Sequence, residues 1–197
     1  MSTAARSVAA VILAAGEGRR FGGQKLLAQL EGRPLLQHVL DAANASTLDP
    51  LVLVVGADAD AVLAHVRLGR ARVALNAAFA SGQARSLQVG LAQVDDSDAI
   101  VVMLGDQPRV TAPLLHALVA RQRESGAPAV VSSQAGRRSP PALLHRDLFP
   151  EIAALSGDVG AREILARRGD VAIVEVTPSV AALDDIDTPG DKARLES

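Results

Sequence analysis

Residues able to do chemistry are concentrated first between positions 16 and 25, where Gly16, Gly18, Gly22 and Gly23 are interleaved with Arg19, Arg20 and Lys25. Glycine takes positive φ without strain and lets its backbone N–H groups approach a ligand closely. Adjacent N–H groups form an anion-binding concavity, and Arg and Lys add full charges to it. Such a set binds a polyphosphate. Spacing excludes two other glycine loops. The dinucleotide fingerprint G-x-G-x-x-G needs a third glycine where this chain has Phe21, and a Walker A loop needs Ser or Thr where Leu26 follows Lys25.

Carboxylates supply the second ingredient. Asp106, in Gly105-Asp106-Gln107-Pro108, stands just past the apolar run Ala99–Leu104. Magnesium prefers one or two carboxylates together with phosphate oxygens and waters, so Asp106 is a candidate metal ligand. In Asp184-Asp185-Ile186-Asp187, alternation along an extended chain puts Asp185 and Asp187 on one side and Ile186 on the other. The turn Ser156 to Arg162 opens a helix whose N-terminus attracts anions, with Arg162 adding charge. Of the four histidines, His38, His65 and His116 read as ordinary helix or surface residues, and His145 lies close to a motif without belonging to one. A phosphate monoester, with its second pKa near about 6, is already largely anionic at neutral pH and needs no base. The histidine pattern therefore favours a phosphate acceptor over a hydroxyl, with Asp158 still available as a base.

These residues require a frame. Val8–Ala14 is a continuous apolar run that stops at glycines, the pattern of a strand buried on both faces. Its glycine loop then falls at the carboxyl end of the strand, where open α/β sheets bind ligands. Further strands are expected at Leu51–Val55, Val73–Leu75, Ala99–Leu104, Ala129–Ser132 and Val171–Val176. Helices are expected after Pro34, from Asp58 to about Arg67, around Ser86, from Thr111 to Ser125, and from Pro189. Between Gly136 and His145 the rhythm breaks; Pro140 and Pro141 exclude a central antiparallel strand but permit an edge. The order implies a three-layer α/β/α sandwich with a mostly parallel sheet, built as one domain over residues 1–197.

Composition agrees. The chain is 49% hydrophobic with only 2% aromatic residues, so its core must be Ala, Val, Leu and Ile. A net charge of −2 excludes a general nucleic-acid binder. Zero cysteines remove thiol chemistry and disulfides, consistent with a cytoplasmic location. Val8 to Ala15 is too short to cross a bilayer and leads into an arginine-rich loop rather than a cleavage site, so neither a membrane partner nor a targeting segment is expected.

Taken in order, LAAGEGRRFGGQKLL (13–27), GDQP (105–108), GDVGAR (157–162) and DIDTP (185–189) resemble the motifs of the MobA-like nucleotidyltransferases, within them the molybdopterin cytidylyltransferases. The resemblance spans nearly the whole chain. It implies a Rossmann-like sheet of the nucleotide-diphospho-sugar transferase type. The implied reaction is Mg²⁺-dependent transfer of CMP from CTP to the terminal phosphate of molybdopterin, with release of pyrophosphate. By the same resemblance Leu13, Ala14, Ala15, Gly16, Gly18, Arg19 and Lys25 bind nucleotide, Arg19, Lys25 and Asp106 are catalytic, and Asp106 and Asp187 hold Mg²⁺. The stretch from Asn76 resembles the family's N-P-x-x-x-x-G-x-x-x-S-L-x-x-G-L, with Ala77 replacing the proline, which adds Asn76, Gly82 and Ser86 to the nucleotide pocket.

Ser139, Pro140, Asp158 and Arg162 fall where the family contacts its acceptor, although Ser139-Pro140-Pro141 departs from the family's G-H-P. Ala15 stands where the guanylyl branch has glycine; a methyl group there narrows the base pocket and favours CTP over GTP. Alternatives left open are GTP, a sugar phosphate or another phosphorylated acceptor, and a non-catalytic chaperone that delivers molybdenum cofactor to a molybdoenzyme. The paired aspartates weigh against the chaperone. A partner molybdoenzyme or its chaperone is a further expectation. Phe21 and the loop cations weigh against an NAD-dependent oxidoreductase.

Overall fold

The computed structural model describes residues 7–16, 18, 21–177, 181–186 and 188–195. In chain order the elements are β1 (Val8–Ala14), the short ribbon β2 (Gln29–Leu30) and β3 (Arg33–Pro34), α1 (Leu35–Asn44), β4 (Leu51–Val55), α2 (Ala59–His65), β5 (Arg72–Leu75) and α3 (Gln83–Leu91). There follow β6 (Ala99–Leu104), α4 (Ala112–Ser125), β7 (Ala129–Gln134), β8 (Arg137–His145), α5 (Phe149–Ala153), α6 (Ala161–Ala166), β9 (Val171–Glu175) and α7 (Pro189–Leu195).

Among the described residues one seven-stranded sheet has the order β5-β4-β1-β6-β8-β7-β9. β8 runs antiparallel to both neighbours, and the other pairings are parallel. Period-2 alternation along β1 divides the core into two layers. Ala10, Ile12 and Ala14 pack with Leu36, Val39 and Leu40 of α1 and with Leu115 and Leu118 of α4. Ala9, Val11 and Leu13 face the other way, onto Leu87 of α3, Ile152 of α5 and Ile164 of α6. With the inner strands β1, β4 and β6 almost entirely buried on both faces, the expected three-layer sandwich with a mostly parallel sheet is what forms. Each fully buried Leu or Ile in these layers contributes about 1.5–3 kcal/mol of transfer free energy.

Topology fixes where a ligand can go. From β1 the chain winds outward through β4 to β5, then returns to pair β6 on the other side of β1. The switch point therefore lies between β1 and β6, and the crevice beyond their carboxyl ends is the natural binding position. Helix boundaries follow local chemistry. Thr111 caps α4, its side chain accepting from Leu114 N–H, and Gly126 in the left-handed region ends it. Asp58 precedes α2 without a side-chain capping bond, and that helix ends at His65 rather than near Arg67.

The segment expected at an edge is instead interior. β8 lies between β6 and β7. Its prolines are tolerated because pairing with β6 ends at Ala142, and the register against β7 shifts between Val131 and Ser132, opposite Pro140 and Pro141. The bulge removes the need for two backbone donors, while Ser132 Oγ donates to the Pro141 carbonyl at 2.7 Å.

Candidate active site

The glycine loop folds back on itself. Gly18 has φ +60°, and a Cβ there would stand 2.9 Å from Gly23 O and 3.0 Å from Lys25 Cβ, so only glycine fits. Phe21 N–H donates to Gly18 O at 2.9 Å, and Lys25 N–H donates to Gly23 O at 2.8 Å. These turns return Lys25 to the mouth of β1. There Lys25 Nζ lies 2.6 Å from Asp106 Oδ2, with the two side chains only 11% and 21% exposed. Gly105 N–H donates to Leu13 O at 2.9 Å, locking the end of β6 to β1 and so fixing Asp106.

The other carboxylate oxygen, Asp106 Oδ1, is buried with no hydrogen-bond partner among the described residues. A desolvated carboxylate oxygen without a donor is costly, by about 1–3 kcal/mol or more. A hard divalent cation would satisfy it, and an oxygen donor is what such an ion takes. The residues present therefore fit a metal at Asp106.

A cavity of about 370 Å³ opens over this pair. Its lining combines Leu13, Ala14, Ala15, Gly16, Gly18, Lys25 and Asp106 with Phe79, Gly82, Gln83, Ser86 and Asp158. Two of the lining turns are pressed together. Gly82 has φ +103°, and a Cβ there would come within 2.3 Å of Gly157 O; Ala84 N–H also donates to Gly157 O at 3.2 Å. The Ala15 methyl is confined as well, since a Cβ on Gly56 would lie 2.9 Å from Ala15 Cβ and 2.8 Å from Phe79 Cβ.

Asn76 stands behind the wall rather than in it. It is buried, accepts Ala78 N–H at Oδ1 and donates from Nδ2 to Ser86 Oγ, both at 3.0 Å. Because the backbone N–H can only donate, the amide orientation is fixed, and Ser86 must be the acceptor from Asn76.

The aspartate-rich segment runs beside Asp106. Ile186 N–H donates to Asp106 O at 3.2 Å, while the Ile186 side chain is fully buried with Leu30 and Leu35. Ile186 thus faces inward, opposite the side expected for Asp185 and Asp187. Asp187 and Arg19 lie outside the described residues. Ser139, of β8, accepts from Gln107 Nε2 at 3.1 Å and so sits next to the Asp106 turn. Ser139, Pro140, Asn76 and Arg162 do not line the cavity, whereas Asp158 does. His38 and His65 bond backbone carbonyls, and His116 accepts Thr47 N–H, all as structural groups. Sequence reasoning missed Phe79, Gln83, Leu26 and Leu104 in the lining. Of these, Phe79 alone carried a signal, a large apolar residue inside a loop.

A cation-bearing glycine loop facing a carboxylate at the switch point of a parallel sheet defines a nucleotide-handling α/β protein. Residues 10–172 match the MobA-like NTP transferase domain, and the chain belongs to that family. It is 37% identical over 191 residues to the purine catabolism protein PucB of Bacillus subtilis, covering 91% of each chain. It is 31% identical over 199 residues to nicotine blue oxidoreductase of Paenarthrobacter nicotinovorans, covering 95% of this chain and 96% of that one. The Rv0371c protein of Mycobacterium tuberculosis, crystallised in complex with manganese, superposes with a TM-score of 0.81 at 31% identity, over 96% of this chain and 97% of that one. The molybdopterin-guanine dinucleotide biosynthesis protein A of Archaeoglobus fulgidus, 21% identical with a TM-score of 0.72 over 96% of each chain, shares the fold. No helix among the described residues is long and apolar enough to cross a membrane.

Proposed function

We propose that the chain is a Mg²⁺-dependent cytidylyltransferase that transfers CMP from CTP to the terminal phosphate of a molybdopterin-type acceptor. The observation that carries this reading is the Lys25–Asp106 pair in the cavity wall, with one Asp106 oxygen left buried and, among the described residues, unpartnered. Lys25, Arg19 and the N–H groups around Gly16 and Gly18 hold the triphosphate. Asp106 and Asp187 would hold Mg²⁺, which supplies charge neutralisation at the phosphate oxygens. Lys25 and Asp106 neutralise each other until a triphosphate and a cation together replace the pair. An acceptor phosphate oxygen then forms a bond to the α-phosphorus in line, the bond from that phosphorus to the bridging oxygen breaks, and pyrophosphate leaves with the electron pair. An anionic acceptor yields no proton, so positioning and charge do the work.

The Ala15 methyl, packed beside Gly56 in the cavity lining, supports a pyrimidine over a purine. Asp158, in the cavity lining, supports a place for the acceptor there, whereas Ser139 lies outside the lining beside Gln107. The molybdopterin assignment rests on the motif resemblance. A second reading comes from the relative named nicotine blue oxidoreductase, which favours a redox reaction in the same cavity. Pyrophosphate release separates the readings: the proposal requires it with CTP, Mg²⁺ and acceptor. A sugar phosphate serving as acceptor redirects the reading, and stoichiometric binding without turnover identifies a carrier instead.

A further inference from the structure

Residues 181–186 have neither helix nor strand to hold them, yet they carry Asp185 and lead directly into Asp187. The Ala181, Leu183 and Ile186 side chains pack into apolar clusters, and individual hydrogen bonds place the backbone between them. Two buried or half-buried glutamines grip the backbone of one residue, Leu183. Gln134 Oε1, at the end of β7, accepts Leu183 N–H at 3.1 Å. Gln107 Nε2, next to Asp106, donates to Leu183 O at 3.2 Å. Backbone groups add Ala182 N–H to Arg109 O at 3.4 Å and Ile186 N–H to Asp106 O at 3.2 Å. The partners fix both amide orientations, because a backbone N–H only donates and a backbone carbonyl only accepts.

Gln107 is fully buried. Its second amide interaction is with Ser139 Oγ at 3.1 Å. Its own Oε1 is buried without a partner among the described residues. A fully buried glutamine that leaves its carbonyl unsatisfied is poor design for stability alone, since an apolar residue of similar size avoids that cost. Its two donor hydrogens both have destinations, one on the aspartate-bearing segment and one on β8.

We infer that Gln107 and Gln134 are positioning residues: they clamp Leu183 from both sides and so hold the aspartate-bearing segment against Asp106 as the second half of a divalent-cation site. This inference rests on the metal-dependent reading above. Groups that orient metal ligands without touching the ion affect affinity by about 10- to 100-fold. The clamp also has a polarity. Glutamate at 134 still accepts Leu183 N–H, whereas an ionised glutamate at 107 has nothing to donate and a protonated one has a single hydrogen where the amide has two.

The test is Mn²⁺ titrated into the full chain, with free ion read by its paramagnetic resonance signal, alongside CTP affinity measured in EDTA. Gln107→Glu, Gln107→Leu and Gln134→Leu are expected to weaken Mn²⁺ binding by about tenfold or more. Gln134→Glu is expected to bind Mn²⁺ like the wild type. CTP affinity in EDTA stays at the wild-type value in all four variants, because it depends on the glycine loop and Lys25. Gln107→Glu binding Mn²⁺ as well as wild type, Gln134→Glu losing as much as Gln134→Leu, or a parallel loss of CTP affinity overturns the clamp. Should the Gln107 variants not fold, the Gln134 pair decides by the same criterion. A wild type that binds no Mn²⁺, or an Asp106→Asn variant that binds it equally, overturns the metal reading and the clamp together.

Discussion

Replacing Asp106 by Asn should have opposite effects on turnover and on metal-free nucleotide binding. Lys25 Nζ is held 2.6 Å from Asp106 Oδ2, with both groups mostly buried. At that distance the Coulomb attraction is about 6 kcal/mol for an effective dielectric of about 20, much of it offset by desolvation. The net value of one charge-assisted hydrogen bond is about 1.5–3 kcal/mol. A triphosphate that recruits Lys25 without a cation must break that bond and also face the exposed carboxylate. Asn removes both obstacles. Metal-free CTP should therefore bind Asp106→Asn about 10- to 150-fold more tightly than wild type. Turnover with Mg²⁺ should meanwhile fall by at least about 100-fold, as expected when a group stabilising transferred charge is lost. Calorimetric titration of CTP in EDTA gives the first quantity and pyrophosphate release the second. Unchanged or weaker metal-free binding in a folded variant refutes the idea that Lys25 and Asp106 hold each other in reserve.

Three further substitutions probe the cavity walls. Ala15→Gly should shift the ratio of initial rates from CTP towards GTP by removing a methyl from the cavity lining beside Gly56; equal ratios in both proteins refute the steric account. Gly82→Ala puts a Cβ within 2.3 Å of Gly157 O at a φ of +103°. It should cost about 2–4 kcal/mol and lower Tm by about 5–15 °C, read by calorimetry. Asn76→Asp keeps the acceptor for Ala78 N–H but cannot donate to Ser86 Oγ. The Ser86 hydroxyl must then turn to donate to the carboxylate and can no longer donate into the cavity, which should raise KM for CTP about five- to tenfold; an unchanged KM removes Asn76 from any role in nucleotide binding.

Much of this architecture was readable because its signals were local. The unbroken apolar runs Leu51–Val55 and Ala99–Leu104 are β4 and β6 with those bounds, and Thr111 caps α4 as its side chain suggests. The Asp106 turn was equally legible, since a carboxylate just after a buried strand can only lie at the sheet's edge. β8 was misread because proline is ordinarily barred from interior strands. The register shift at Val131 and Ser132 that admits Pro140 and Pro141 has no sequence mark of its own. Gln107 and Gln134 were silent for a related reason: two glutamines 27 positions apart acquire meaning only when the fold brings both to Leu183. That Asn76 turns its side chain to Ser86 and Ala78 is likewise visible only in three dimensions.

The most direct test of nucleotidyl transfer is pyrophosphate release from wild-type protein given molybdopterin, Mg²⁺ and each nucleoside triphosphate in turn. The account predicts release with CTP above all others, abolished by EDTA and by Lys25→Ala. Tight CTP binding with no pyrophosphate formed, or release that survives loss of Lys25, would contradict it.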